Sequence, residues 1–252
     1  MSDKPLLETS LADRWIRRAI ITTLGNLVTP IYFDWMNSLE VTGDEALGTL
    51  PRKNVVFLSN HQTYFTEAVY FFHLVYIRHR FPLEDPFVRF SAAEETMKKN
   101  LLTEFMTKAG GVTFRRSFRA GGVEVSRKVD LEGVARVEEA IRQGWLLHFP
   151  AGTTQRGAPI RPGIAQLLHR TKAVAVPVRI DGFQRFLLHR QIPGKIRQKA
   201  SMRLFSPLDL GGFYAAPYSK ESGRELVARL TSMLGDPPQE NDRSRSTTAS
   251  MS

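Results

Sequence analysis

The hydrophobic period changes several times along the chain, and each change marks an element. Within residues 11–35, Trp15, Ile16, Ala19, Ile20, Leu24, Leu27 and Val28 recur at helical spacing, with Arg14, Arg17 and Arg18 near the start. Residues 19–33 form a stretch of 15 without charge, interrupted by Gly25, Asn26 and Pro30. A bilayer span needs ~20 predominantly apolar residues. The segment is therefore predicted as an amphipathic helix or helical hairpin, lying either in a membrane interface or on the domain's own core.

Beyond it, strand and helix patterns alternate. NVVFLS at 54–59 is a short β-branched run that predicts a buried strand, and the uncharged AVYFFHLVYI at 68–77 predicts a buried helix. FVRFSA at 87–92 and GGVTF at 110–114 are predicted strands on either side of a helix at 94–109. DLEGVARVEEAIRQG at 130–144 is a predicted helix closed by Gly144. WLLHFP at 145–150 and AVAVPVRI at 173–180 are predicted strands, joined by a helix over 162–171 with Pro162 in its first turn. MRLFS at 202–206 predicts a last strand and 222–234 a closing helix. The pattern predicts an α/β fold: a single domain with a largely parallel sheet flanked by helices, and an N-terminal amphipathic helical segment at 1–40. The domain proper is expected over 41–235, and the polar, Pro-bearing stretch 236–252 is expected to be disordered.

Composition narrows the chemistry. With 252 residues, 42% of them hydrophobic, the chain can bury one sizeable core. It has no cysteine, which excludes disulfides, thiolate-rich metal sites and a Cys nucleophile. The start, MSDKPLLETS, lacks a basic-then-apolar pattern, so no secretory peptide is expected. Lys and Arg number 35 against 25 Asp and Glu, a net charge of +10 that points to an anionic partner. The excess sits in two internal blocks: 108–128 carries +5, 153–199 carries +9, and the remainder sums to −4. There is no basic tail, no nucleic-acid motif and no aromatic–basic interleaving, so nucleic acid is not an expected partner.

Of the six histidines, no pair has metal-ligand spacing, and no metal is expected. His61 lies just after a predicted buried strand, in SNHQTYFTE, where an open α/β sheet presents its ligand edge. Glu67, six positions on, is placed to orient the ring, a pairing that suits a general base for a hydroxyl. No G-x-S-x-G elbow and no P-loop is present. A second candidate element is Gly110-Gly111-Val112-Thr113-Phe114-Arg115-Arg116, where glycine permits close backbone approach and Arg116 offers a planar fork to a phosphate. A third is FPAGTTQRG at 149–157, in which Gly152 offers a backbone N–H, Thr153 a hydroxyl and Arg156 a cation.

The order of these elements resembles the glycerophospholipid acyltransferase family, over roughly residues 50–185. The family's N-H-x4-D block resembles SNHQTYFTE at 59–67, and its G-x-[IV]-[FV]-x-x-R block resembles 110–116. Its F-P-E-G-T-R block resembles Phe149-Pro150-Ala151-Gly152-Thr153-Thr154, and its proline-centred strand resembles 173–178. Two of the blocks depart from the family pattern. Thr66 stands where the family has Asp, with the acid one residue later at Glu67, a shift of about 100° on a regular helix. Ala151 replaces a Glu and Thr154 an Arg, with Arg156 as a substitute cation. The resemblance implies an acyltransferase with His61 and Glu67 catalytic, and Arg116, Gly152, Thr153 and Arg156 holding the acceptor's phosphate. Asn60, Gly111, Phe149 and Pro150 would support them. It implies no cofactor, acyl-CoA or acyl carrier protein as donor, a lysophospholipid such as 1-acylglycerol-3-phosphate as acceptor, and a peripheral or monotopic place on the cytoplasmic side of the membrane. Ala151 leaves open another lysolipid, such as a lyso-ornithine lipid. The altered acid positions leave open a catalytically impaired lipid-binding protein.

Overall fold

A computed structural model describes residues 7, 11–94, 107–114, 119–120, 123–124, 130–189 and 192–235. Its strands are β1 (Ser38–Thr42), β2 (Val55–Ser59), β3 (Val88–Ala93), β4 (Gly111–Phe114), β5 (Trp145–His148), β6 (Val174–Asp181) and β7 (Lys199–Leu204). They form one sheet in the order β1-β7-β6-β2-β5-β3-β4. From β6 to β4 every pairing is parallel; β7 runs antiparallel to β6, and β1 runs parallel to β7. The largely parallel α/β sheet is as the sequence predicts, with a reversed edge that the sequence does not announce. β1 alternates exposed and half-buried residues at that edge, so SLEVT carries no buried run to betray it. It also places residues 38–40 in the sheet rather than in the N-terminal helical segment.

β2 is buried at every position because both faces of the sheet are covered. Val55 and Phe57 face a core shared with α2 (Thr66–Phe72), while Val56 and Leu58 face α3 (Leu131–Gln143), α4 (Gly163–Thr171) and α5 (Lys220–Leu234). Asp130 caps α3 by accepting the Gly133 N–H at 2.9 Å. Gly144 ends α3, as the sequence predicts, without a left-handed turn. Its φ is −170°, and a Cβ there would lie 2.1 Å from the Phe87 carbonyl oxygen, so the need is for close approach where β3 and β5 begin.

The N-terminal segment neither breaks nor folds into a hairpin at Gly25 and Pro30. α1 (Leu11–Thr23) continues through two wider, π-type stretches, Leu24–Val28 and Pro30–Trp35. Its buried residues, Arg17, Ile21, Gly25, Thr29 and Phe33, recur every four positions, the period a widened helix needs to keep one face on the core. Arg17 fastens this face to the sheet: its guanidinium donates to the carbonyls of Val88 (2.7 Å), Ala109 (3.0 Å) and Leu83 (3.3 Å) and to the Tyr76 hydroxyl. Trp15, Ile16, Leu24, Leu27, Val28, Ile31 and Trp35 remain exposed on the other side. One stripe of this segment is therefore packed on the domain's own core, and another apolar stripe is left uncovered. No helix among the described residues is long and apolar enough to cross a membrane. Most of the helix expected at 94–109 and the tail at 236–252 lie outside the described residues.

Candidate active site

β2 ends at Ser59, and the next six residues turn back over the sheet's C-terminal edge before α2 begins at Thr66. Two side chains rivet this turn to the end of β6. The Asn60 amide accepts the Ile180 N–H at 2.8 Å and donates to the Ile180 carbonyl at 2.9 Å, so it pairs with β6 as a strand residue would. Gln62 accepts the Phe183 N–H at 3.0 Å and donates to Ile180 O at 3.3 Å. His61 is held between them.

The His61 ring stacks on Phe149, with centroids 4.0 Å apart and planes at 26°. Its Nδ1 faces Glu67 Oε1 at 3.5 Å, a contact longer than the ~2.6–3.2 Å of a hydrogen bond, and Nδ1 is buried without a hydrogen-bond partner. The 100° displacement expected of a regular helix does not arise, because residues 61–65 are not helical. Glu67 instead closes a widened capping arrangement. Thr63 Oγ1 accepts the Thr66 N–H at 3.0 Å, and the Glu67 carboxylate reaches back to accept the N–H groups of Gln62 and Thr63, each at 2.6 Å, and the Thr63 hydroxyl. Glu67 is fully buried. Burial pushes its carboxyl up, but His61 and the Thr63 hydroxyl outweigh burial and hold it below its ordinary value. Thr66, at the family's acid position, is buried with its hydroxyl unpartnered.

His61 shares a cleft with Asn60, Gln62, Pro150, Ala151, Thr153 and Arg156; Thr231 and Leu234 of α5 also line it. The third motif's loop closes on itself, with Arg161 N–H donating to Pro150 O at 3.1 Å and its Nε to Ala151 O at 3.3 Å. Gly152 sits at φ +68° against the Arg161 guanidinium. Its N–H donates to Phe149 O at 2.9 Å, closing the turn, and so is not the free donor expected for a phosphate. Thr153 Oγ1 accepts the Gln155 N–H at 3.2 Å, which leaves its hydroxyl hydrogen to donate. Gly111 opens β4, which is separated from β5 by β3 and does not line the cleft. Arg116 lies outside the described residues.

The sequence reading missed Gln62, Thr63 and Arg161. The Thr63–Glu67 spacing, one residue wider than a capping box, is the signal that was there to find. It also passed over His148 at the end of β5. This ring meets Ser91 Oγ through Nδ1 at 2.8 Å, and burial pushes it down from its ordinary 6.5 to about 4.

The comparisons with known proteins bear on what this arrangement is for. Among solved structures, the chain is similar to the 1-acyl-sn-glycerophosphate (LPA) acyltransferase PlsC from Thermotoga maritima. The identity is 18%, over 90% of this chain and 83% of that one, with a TM-score of 0.49. No curated protein matches the chain significantly. A family model described as Acyltransferase matches residues 38–181, from the first residue of β1 to the last of β6, more than half of the chain. That span contains the His61 turn, Glu67 and the 149–157 loop, and the chain belongs to the acyltransferase family.

Proposed function

We propose that the protein is a peripheral membrane O-acyltransferase that moves an acyl chain from a thioester, acyl-CoA or acyl carrier protein, to the free hydroxyl of a lysophospholipid. The observation that carries this reading is a histidine held between an aromatic face and a buried carboxylate, at the wall of a cleft that also contains Thr153 and Arg156. With Glu67 facing Nδ1, the ring favours the tautomer that carries its proton there, leaving Nε2 as the base. His61 takes the acceptor's hydroxyl proton, and the oxygen attacks the thioester carbonyl. The C–O bond forms, the C–S bond breaks, and the leaving thiolate recovers the proton from the imidazolium. Thr153 and Arg156 hold the acceptor's phosphate, with Arg116 as a further candidate. The exposed stripe of the N-terminal helix, where Trp15 is 69% and Trp35 80% exposed, rests in the lipid interface.

The test is transfer from acyl-CoA or acyl carrier protein to a panel of lysolipids, read by mass spectrometry. His61→Ala should lower kcat about 10²–10⁴-fold. Turnover near the wild-type value in that variant would show that another group is the base. A second acceptor class is favoured by Ala151, which puts a methyl group in the cleft where the family carries a carboxylate. Preferential acylation of a lyso-ornithine or other non-glycerophosphate acceptor in the same panel would identify it.

A further inference from the structure

Between Asp181 and Asp209 the chain carries Arg185, Arg190, Lys195, Arg197, Lys199 and Arg203 and no acidic residue. In the middle of this run a short antiparallel ladder pairs Leu187–His189 with Ile192–Pro193, and the chain then returns to β7. Two apolar side chains on it face water, Leu188 at 61% and Ile196 at 49% exposed, next to the exposed cations Lys195 and Arg197. Among the described residues neither cation meets a carboxylate. The cleft does not use these residues.

This hairpin is fastened to the N-terminal helical segment. The Tyr32 hydroxyl bonds to the carbonyls of Phe186 (3.1 Å) and Lys195 (3.2 Å), and the Arg197 N–H donates to Met36 O at 2.7 Å. Asn37 accepts the Gln198 N–H at 2.9 Å. The attachment lies at the end of the exposed stripe that finishes at Trp35 and Met36. Exposed aliphatic tips, unpaired cations and an absence of acids match the chemistry of an anionic bilayer surface. There, apolar side chains enter the interface and cations meet phosphates.

We infer that Leu188, Lys195, Ile196 and Arg197 form a second anchor, which docks on an anionic phospholipid surface beside the helical stripe; the inference rests on the peripheral-membrane reading above. The stripe supplies apolar area and the hairpin supplies lipid selectivity.

The experiment compares binding of the full chain to phosphatidylcholine vesicles with and without phosphatidylglycerol. Lys195→Gln/Arg197→Gln should bind the phosphatidylglycerol vesicles about thirtyfold more weakly and neutral vesicles as wild type does. The wild-type preference should fade with added salt. Leu188→Ser/Ile196→Ser should bind both vesicles more weakly. Unchanged thermal unfolding establishes that the variants fold. Equal binding of wild type and Lys195→Gln/Arg197→Gln to phosphatidylglycerol vesicles overturns the inference. So does loss of DNA binding, rather than vesicle binding, in that variant. Acyl transfer in detergent micelles separates this from the proposed function. Micellar transfer with unaltered vesicle binding in the variant sinks the anchor alone, whereas lost vesicle binding without any transfer in wild type sinks the enzymatic reading alone.

Discussion

Glu67 has two tasks at the same atoms. Oε1 accepts two backbone N–H groups and also faces His61, so the carboxylate that orients the ring also shapes the turn carrying it. Thr63 fixes the other oxygen, which makes it a positioning residue acting through Glu67. Thr63→Val removes that donor and leaves burial a larger say over the carboxyl, so the Glu67 pKa should rise. A carboxyl depressed in the fold contributes stability above its unfolded pKa, and that stability is lost as pH falls through the folded value. In Thr63→Val the pH-linked loss should therefore be smaller and should be complete at a higher pH, and the acid limb of kcat/KM should move to higher pH. The stability cost is roughly 1–3 kcal/mol. Thr63→Ser should restore both the pH profile and the unfolding midpoint; an acid limb unmoved by Thr63→Val would remove Thr63 from the catalytic account.

At the scale of elements, what the sequence discloses depends on where each element is buried. β2, β5 and β6 are legible because strands covered on both faces need continuous apolar runs, and VVFLS, WLLH and VAVPVRID supply them. β1 is not, because an edge strand of half-exposed residues has no such need. The acid of the candidate dyad was legible as a residue. Its contact was not, because the turn at 61–65 obeys no repeating geometry. Gly144 was legible as an end but not as a steric requirement, since Phe87 approaches it from 57 positions away in sequence. Gly144→Ala should cost roughly 1–3 kcal/mol by forcing the start of β3 off β5, seen as a Tm several degrees lower. Arg17→Met should cost a similar amount, because two buried carbonyls and a part-buried one lose a charged donor. It should also weaken vesicle binding by loosening the helix that bears the exposed stripe. A wild-type Tm in Arg17→Met would mean that packing alone holds that helix.

Across the whole molecule, the two helical layers divide the work. The layer containing α2 and the N-terminal segment joins the candidate catalytic turn to the apolar surface, whereas α3, α4 and α5 cover the opposite face, and α5 also walls the cleft. Acid stability should reflect a group in neither role. His148 is pushed down from 6.5 to about 4 by burial, so its neutral form is the one the fold accommodates. Its contribution is complete above about 6.5 and is lost as pH falls towards about 4. His148→Phe should flatten the unfolding midpoint across that interval. An unchanged slope would assign the acid sensitivity to other groups, His73 among them, which burial also pushes down despite the opposing charge of Asp34.

The Asn60–Ile180 pairing carries a consequence for timescales. The Ile180 amide hydrogen is bonded to a side chain on the His61 turn, not to a neighbouring strand's carbonyl. Its exchange with solvent deuterium therefore requires that turn to lift away, whether or not the rest of β6 opens. Exchange at that amide is a clock for the order of the His61 turn, readable without substrate. Anything that seats the turn more firmly should slow it, leaving the amides of β2 and β5 unchanged.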